Sequence, residues 1–292
     1  MAFHDGLEHV VREGEPLAPY TWLRLGGEAR YFAEPTNRDE LAELVRRSRE
    51  EGLPVKLLGA GSNVLVRDEG VPGLVLHLSA PPFTDIAIRD RFVTASGGTK
   101  LAHLISAAVR EGLAGLEQLV GIPGTVGGAL RGNASCHGRD IGQSTVAATV
   151  LSHTGEIIAR SRDELVFAYR ESSLDELVIL DAQFELEPTD ARELTKRMQK
   201  QWIVNKAAQP LHNQPTAMIF KDAGGISAAS LIEQAGMKAA RVGAVGLSDR
   251  NANFLVAEPG ASSREVLELI DLVRNRVSQR LGVELEIALD IW

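Results

Sequence analysis

A glycine-rich run, Gly121-Ile-Pro-Gly-Thr-Val-Gly-Gly128, restricts the conformations open to this chain more than any other segment. Glycine adopts positive φ without steric cost and lets a backbone approach a neighbouring surface closely. Pro123 fixes one φ angle and removes one hydrogen-bond donor. Such a run after an apolar segment is typical of a loop that presents bare amides to a flat or anionic ligand. A tight turn without a ligand is the alternative interpretation.

The composition and charge exclude several classes of protein. Of the 292 residues, 44% are hydrophobic and 24% charged, which is ordinary for a globular chain with a large core. A net charge of -8 argues against general binding of nucleic acid or anionic membranes. No run of about 18 apolar residues predicts a membrane span, and the N-terminus lacks a signal-peptide pattern. The single cysteine, Cys136, fits a reducing compartment, so we expect a cytoplasmic protein.

The first 80 residues predict one lobe in which strands alternate with a helix. The pattern Asn37-x-x-Glu40 predicts a capping box that opens a helix through Glu51, which Gly52 terminates. Strands are expected over residues 23–35, 53–58, 64–67 and 74–78, with a loop over residues 59–63.

Two further segments are expected after this lobe, over residues 81–188 and 189–292. In the first, Thr99 is expected to cap a helix over residues 101–111. In the second, the capping box Ser262-x-x-Glu265 predicts a long helix to residue 281. Its apolar spacing predicts one buried face, formed by Val266, Leu269, Ile270, Val273 and Val277. Residues 283–292 alternate like a strand.

The loop over residues 59–63 is not a complete dinucleotide fingerprint. It lacks the third glycine, at Val64, and it leads into a strand and not into a helix. No Walker motif is present. Consecutive amides, together with the side chains of Ser62 and Asn63, still suit a pyrophosphate. Since a second glycine-rich loop follows about sixty residues later, one loop is expected to hold the diphosphate and the other the ring system of one cofactor.

Several motifs follow one another in a specific order along the chain: residues 17–27, 59–63, 115–129, Tyr169-Arg-Glu-Ser172, Phe220-Lys221, 230–236 and 253–256. Together they resemble the UDP-N-acetylenolpyruvoylglucosamine reductase (UDP-N-acetylmuramate dehydrogenase) family over nearly the whole chain. The short distance from Ser172 to Thr189 resembles the family's second type, which lacks an inserted tyrosine-bearing loop.

The resemblance implies an α+β fold in which a two-lobed FAD-binding module of the PCMH (vanillyl-alcohol-oxidase-like) type precedes a C-terminal α+β substrate-binding domain. It implies lobe 1 over residues 1–80, lobe 2 over residues 81–188 and the substrate domain over residues 189–292. The implied enzyme uses NADPH and non-covalent FAD, and we expect a monomer. It reduces UDP-N-acetylglucosamine enolpyruvate to UDP-N-acetylmuramate for peptidoglycan, on which cell wall, shape and division depend.

The resemblance also implies which residues bind the ligands. The FAD pyrophosphate would lie on Gly59, Ala60, Gly61, Ser62 and Asn63. The flavin ring and ribityl chain would lie on Gly121, Ile122, Pro123, Gly124, Thr125, Gly127 and Gly128. The substrate would meet Tyr169, Arg170, Lys221 and Asp222. A guanidinium suits the carboxylate of the enolpyruvyl group because it donates two parallel hydrogen bonds. The alternative to substrate binding is an exposed turn at residues 169–170 and a solvated surface lysine at Lys221.

The chain departs from the family at two positions. The family's proton donor is a serine two residues before the Phe-Lys pair, and a glutamate near the C-terminus assists it; here Met218 and Ala288 stand there. A thioether carries no transferable proton. Proton transfer by a positioned side chain contributes about 10²–10⁴-fold to a rate, so losing it slows the reaction without abolishing hydride transfer. We therefore expect that the chemistry persists with a substitute donor. The candidates are Thr216, Glu286, Asp290, Cys136 and His137.

Two other interpretations stay open: a related flavoprotein with a different substrate, or a non-catalytic binder of FAD or UDP-sugar. No metal site is predicted, since the histidines lack metal-ligand spacing. They include His4, His9, His77, His103, His153 and His212.

Overall fold

The structure, a computed structural model, describes residues 3–207, 209–210 and 214–292. The α-helices are α1 Arg38–Glu50, α2 Leu101–Arg110, α3 Val126–Arg131, α4 Ala191–Ala207, α5 Ala228–Gln234 and α6 Ser263–Leu281. The strands are β1 Val11–Pro16, β2 Glu28–Ala33, β3 Val55–Leu58, β4 Val64–Leu65, β5 Val71–His77, β6 Ile86–Arg89, β7 Phe92–Ser96, β8 Leu113–Ala114, β9 Ser135–Cys136, β10 Arg139–Asp140, β11 Thr145–Leu151, β12 Ile157–Ser161, β13 Phe167–Ala168, β14 Glu171–Ser172, β15 Val178–Glu185, β16 Glu187–Pro188, β17 Thr216–Met218, β18 Arg241–Val242, β19 Val245–Leu247, β20 Phe254–Ala257 and β21 Asp290–Ile291.

Packing divides the chain into two compact units, each made of discontinuous segments. Unit 1 comprises Met1–Gly14, Arg30–Ala60 and Pro72–Asn205, and unit 2 comprises Glu15–Ala29, Gly61–Val71 and Lys206–Trp292. The sequence predicts three contiguous segments instead, and that division stays a prediction about function. Among the described residues, no helix is both long enough and apolar enough to cross a membrane.

Helix α1 begins and ends as the sequence predicts, with one difference at its cap. The side chain of Asn37 accepts a hydrogen bond from the Glu40 amide at 2.9 Å, and Gly52 adopts a φ of +65° just after the helix. The Glu40 carboxylate bonds one residue further back than a capping box requires, to the amide and hydroxyl of Thr36. The buried face of α1, which includes Leu41 and Leu44, joins a core with residues of β2 and β5.

Two sheets form the framework of unit 1. The first has the order β1-β2-β5-β3, with β3 and β5 parallel. The second is antiparallel with the order β12-β11-β15-β7-β6. Helices α2 and α3 contribute Leu104, Ile105, Val126 and Leu130 to the core of the second sheet. The glycine-rich run follows α2 along the chain and ends inside α3, and both helices are fixed by burial.

Unit 2 is built on the sheet β17-β20-β19-β18 and on helices α5 and α6. Both halves of the predicted capping box form: the Ser262 side chain accepts from the Glu265 amide and the Glu265 carboxylate from the Ser262 amide. The predicted apolar face of α6 is buried, which confirms the spacing argument. It comprises Val266, Leu269, Ile270, Val273 and Val277.

Three local predictions are wrong. Thr99 does not cap α2, because its hydroxyl donates to the Asp85 carbonyl at 3.2 Å and Lys100 is the N-cap. The first strand over residues 23–35 begins only at Glu28, since the preceding turn is irregular. The tail is a strand only at Asp290–Ile291, which pairs in parallel with β4; the preceding residues make a single bridge, at Ile287.

Candidate active site

The glycine-rich run is half loop and half helix. Gly121 and Gly124 adopt φ angles of +88° and +139°, which glycine alone tolerates readily. Thr125 then caps α3, its hydroxyl accepting from the Gly128 amide at 3.3 Å. Gly127 and Gly128 lie inside α3 and do not adopt the positive φ angles that the sequence led us to expect of a glycine-rich loop. Gly127 has a packing reason instead: a Cβ there would lie 3.1 Å from the Gly97 carbonyl oxygen.

Within unit 1, the two loops that the sequence assigns to one cofactor lie in contact. A Cβ added to Gly59 would lie 2.9 Å from Thr125 Oγ1, closer than real Cβ atoms approach. The Gly124 carbonyl accepts from the Leu101 amide at 3.0 Å, and Thr125 bridges to Lys100. The fold thus brings together two loops that lie about sixty residues apart in the sequence.

A third glycine segment, Gly97-Gly98, was missed in the sequence and supports the run over residues 121–128. Gly97 accepts from the Gly127 amide at 2.8 Å, and a Cβ at Gly97 would lie only 1.9 Å from the Ile179 carbonyl oxygen. A Cβ at Gly98 would lie 2.1 Å from the Leu78 carbonyl oxygen. The available signal was the Gly-Gly pair shortly before the helix predicted over residues 101–111.

The surface formed by these loops suits a flat cofactor. Gly59, Ala60 and residues 121–125 are partly exposed, and Gly128 is exposed. Small residues follow one another here, so a planar ring can approach the backbone closely. In unit 2 the same loop continues through Gly61, whose Cβ would lie 2.0 Å from the Tyr20 carbonyl oxygen. The residues present therefore fit FAD.

Tyr169 and Arg170 form the two-residue turn of a β-hairpin. Strands β13 and β14 pair Phe167 with Ser172 and Ala168 with Glu171. Arg170 adopts a φ of +59°, an uncommon conformation for a residue with a Cβ. Tyr169 is about half exposed, and the Arg170 Cζ lies 6.0 Å from its ring centroid. The turn thus presents a guanidinium and a phenol together.

Cys136 and His137 both contact the side chain of Asn205. Asn205 is buried, and its Nδ2 donates to the Val120 carbonyl at 2.6 Å, so its Oδ1 acts as the acceptor. His137 Nε2 lies 3.0 Å and Cys136 Sγ 3.5 Å from that oxygen. His137 therefore carries a hydrogen on Nε2, and the Cys136 thiol points its proton at Asn205. Asn205 was missed, since nothing in a polar helix distinguishes it.

The Cys136 thiol is expected to react slowly. Burial raises the pKa of the thiol, and the nearby charge of Arg170 and the hydrogen bond to Asn205 offset that rise only in part. A higher pKa leaves less thiolate at neutral pH, and the thiolate is the nucleophile. Alkylation by iodoacetamide, followed against pH, should show a midpoint above that of glutathione. A midpoint at or below that of glutathione would contradict the account, and Cys136→Ser should not react.

In unit 2 an ion pair lies beside the position of the missing glutamate. Lys221 Nζ lies 2.5 Å from Glu286 Oε1, and the Lys221 amide donates to the Glu286 carbonyl at 2.9 Å. The Lys221 side chain is 14% exposed and that of Glu286 is 70% exposed. The Ala288 amide donates to the Ile219 carbonyl at 2.7 Å. Ala288 and Ile219 are therefore bonded two residues further along the same two segments that Glu286 and Lys221 join.

The remaining predicted residues of unit 2 have structural partners. Thr216 is buried and its hydroxyl donates to the Leu255 carbonyl at 2.7 Å. Asp222 accepts from the Ala228 amide at 2.8 Å, at the start of α5. Asn63 Nδ2 donates to the Ala288 carbonyl at 2.9 Å. Met218 is half-buried on β17, opposite Phe254.

Within the part of the chain that the structure describes, no group of three or more His, Cys, Asp or Glu residues is placed to hold a metal ion. His212, named in that prediction, lies outside the described residues.

Two family models match this chain. Residues 209–292 match the model described as UDP-N-acetylenolpyruvoylglucosamine reductase, C-terminal domain, and residues 29–161 match the model described as FAD binding domain.

Curated relatives and a solved structure match over nearly the full length. The chain is 42% identical over 290 residues to UDP-N-acetylenolpyruvoylglucosamine reductase of Rhodopirellula baltica, covering 99% of this chain and 95% of the relative. It is also 42% identical over 284 residues to UDP-N-acetylenolpyruvoylglucosamine reductase 2 of Symbiobacterium thermophilum, covering 97% and 92%. The crystal structure of UDP-N-acetylenolpyruvylglucosamine reductase from Thermus caldophilus superposes with a TM-score of 0.80 at 33% identity, covering 97% and 98%. The predicted fold class and the resemblance are confirmed.

Proposed function

The chain belongs to the UDP-N-acetylenolpyruvoylglucosamine reductase family, and from that premise we propose which of its residues carry the reaction. The enzyme is an NADPH-dependent FAD oxidoreductase of peptidoglycan precursor synthesis. It reduces UDP-N-acetylglucosamine enolpyruvate to UDP-N-acetylmuramate. When bound, FAD accepts hydride from NADPH and supplies it to the enolpyruvyl double bond.

The flavin ring is proposed to lie on the partly exposed surface of residues 121–125 and Gly128. The observation that carries this proposal is the contact between Gly59 and Thr125, which makes one continuous glycine surface in unit 1. The pyrophosphate is proposed to lie along residues 59–63, whose backbone amides and Ser62 side chain are suitable donors. Asn63 Nδ2 gives one hydrogen to the Ala288 carbonyl, and its second hydrogen is proposed to serve the pyrophosphate. In terms of function, residues 1–80 and 81–188 would be the two FAD-binding lobes and residues 189–292 the substrate domain.

Arg170 is proposed to hold the carboxylate of the enolpyruvyl group. Addition of hydride to the methylene carbon leaves negative charge shared between the adjacent carbon and the carboxylate. A guanidinium that donates two parallel hydrogen bonds stabilises that charge more in the transition state than in the ground state. Tyr169 beside it, Lys221 and Asp222 are also proposed to contact the substrate.

The proton for the adjacent carbon is proposed to come from the Lys221–Glu286 pair. Met218 has no transferable proton, and the buried Thr216 hydroxyl already donates to a carbonyl. Lys221 Nζ carries protons and lies 2.5 Å from the Glu286 carboxylate, whose side chain is 70% exposed to solvent. The ammonium would give its proton to the substrate carbon and regain one from water along Glu286.

Glu286→Gln is expected to slow reoxidation of the reduced flavin by substrate about 10–10²-fold, within the range of general acid–base catalysis. Bleaching of the flavin by NADPH should not change. Thr216→Val is the matched control: it removes one buried hydrogen bond, which costs about 1 kcal/mol of stability, and should keep the rate. If Thr216→Val slows reoxidation and Glu286→Gln does not, Thr216 supplies the proton instead.

The function itself is tested by substrate-dependent turnover. FAD-loaded protein should oxidise NADPH anaerobically only in the presence of UDP-N-acetylglucosamine enolpyruvate, and the product should carry two more hydrogen atoms than the substrate. NADPH oxidation without that product would favour a flavoprotein with a different substrate. Bound flavin without turnover would favour a non-catalytic binder of FAD or UDP-sugar, a second candidate that Met218 and Ala288 support.

The protein is proposed to act in the cytoplasm as a monomer. The single cysteine fits a reducing compartment. UDP-sugar and NADPH are proposed as its small-molecule partners, and neither nucleic acid nor membrane is required.

A further inference from the structure

Asn133 follows α3 in an uncommon environment. It is 3% exposed and adopts a φ of +39°. Asparagine tolerates the left-handed region better than most residues do, but burying its amide is costly unless both ends are hydrogen-bonded. Its side chain therefore has a specific task in the fold.

Both ends of the Asn133 side chain bind backbone groups of other segments. Nδ2 donates to the Ala168 carbonyl at 2.8 Å, and Oδ1 accepts from the Gly142 amide at 3.2 Å. A carbonyl only accepts and an amide N–H only donates, so the orientation of the side chain is determined. Ala168 is the residue directly before Tyr169 and Arg170.

The hairpin that bears Arg170 is docked on the end of α3 by further contacts. The Ser172 hydroxyl donates to the Arg131 carbonyl at 3.0 Å. The Phe167 ring fills the place where a side chain at Gly142 would stand, since a Cβ there would lie 2.3 Å from Phe167 Cγ. The left-handed Arg170 requires such support, because an unfavourable φ persists only where the surroundings determine it.

We propose that Asn133 is a positioning residue, which holds the Tyr169–Arg170 turn against the end of α3 and so sets where the Arg170 guanidinium meets the substrate. The proposal deepens the proposed function and rests on it for the role of Arg170. Small displacements of a substrate-positioning group are costly, since about 1 Å can lower a rate 10²-fold.

Two variants separate the side-chain contacts from the backbone conformation. Asn133→Asp keeps the acceptor for Gly142 but places an oxygen against the Ala168 carbonyl. Asn133→Gly keeps the left-handed φ and removes both contacts. Asn37→Asp is the matched control: it makes the same chemical change at the exposed cap of α1, where aspartate caps as well as asparagine does.

We expect both Asn133 variants to bind FAD and to be bleached by NADPH normally. Reoxidation by UDP-N-acetylglucosamine enolpyruvate should slow about 10–10²-fold. Amide hydrogen exchange over residues 167–172 should accelerate about tenfold or more without substrate present. Asn37→Asp should change none of these measurements.

Unchanged hydrogen exchange over residues 167–172 in both variants would overturn the proposal. So would faster exchange with unchanged reoxidation, provided that Arg170→Lys is impaired in the same assay. If substrate does not reoxidise the wild-type flavin at all, the proposed function fails. Hydrogen exchange then still decides whether Asn133 holds the turn.

Discussion

Replacing Arg170 with lysine should slow reoxidation of the reduced flavin by substrate about 10²–10³-fold, the usual cost of removing a donor that stabilises transition-state charge. Lysine keeps the positive charge but cannot donate two parallel hydrogen bonds to a carboxylate. The position adds to the effect, because Arg170 stands at the apex of a hairpin with a φ of +59° and cannot shift freely to compensate. Anaerobic stopped-flow absorbance measures this step directly.

The same variant should be bleached by NADPH at a rate within about twofold of wild type, since that step precedes contact with the substrate carboxylate. Arg91→Lys is the matched control: Arg91 is exposed, pairs with Glu185 and has no proposed role. Equal slowing of both half-reactions in Arg170→Lys would contradict the assignment, because it would place Arg170 at the flavin and not at the carboxylate.

Replacing Gly128 with leucine should raise the Kd for FAD about 10³-fold or more, because the side chain would occupy the surface where the ring is proposed to lie. The protein itself should tolerate the change. Among the described residues, a Cβ at Gly128 meets only Thr125 Oγ1, at 3.5 Å, an ordinary contact. Leucine is also a better helix former than glycine, which is about 0.8–1.0 kcal/mol less favourable than alanine in a helix, so the melting temperature of the FAD-free protein should not fall.

Gly132→Leu, just after the same helix, is the control for this loss of affinity. A Cβ there would lie 3.8 Å from the Gly128 carbonyl oxygen, so the change is sterically similar but lies outside the proposed ring surface. Flavin fluorescence quenching gives the Kd of each variant. Wild-type affinity in Gly128→Leu would show that the ring lies elsewhere.

Local signals in the sequence predict several local features of this chain, although Thr99 does not cap α2 as expected. The Ser262 and Glu265 pair forms both halves of its capping box, and the apolar spacing of α6 predicts its buried face. The loop over residues 59–63 precedes a strand, as the missing third glycine indicates. In each case the residues that form the pattern are close neighbours in the sequence.

Contacts between distant segments could not be predicted in the same way. Leu23 and Leu65 belong to the core of unit 2 with residues 217–291, although their apolar character is equally suited to the first lobe. The tail pairs with β4 only at its end. Alternation of apolar and polar residues predicts a strand but does not identify the strand with which it pairs. The roles of Asn133 and Asn205 depend on hydrogen bonds to backbone groups far away in sequence, which leave no pattern.

The central claim is that this chain delivers reducing equivalents from NADPH to an enolpyruvyl sugar through a flavin on its glycine surface. A single-turnover experiment tests it most directly: FAD-loaded protein is bleached anaerobically with one equivalent of NADPH and then mixed with UDP-N-acetylglucosamine enolpyruvate. We predict full bleaching and then full return of the flavin absorbance with one equivalent of substrate, with formation of UDP-N-acetylmuramate. Protein that binds no flavin, or a bleached flavin that substrate does not reoxidise, would contradict the account.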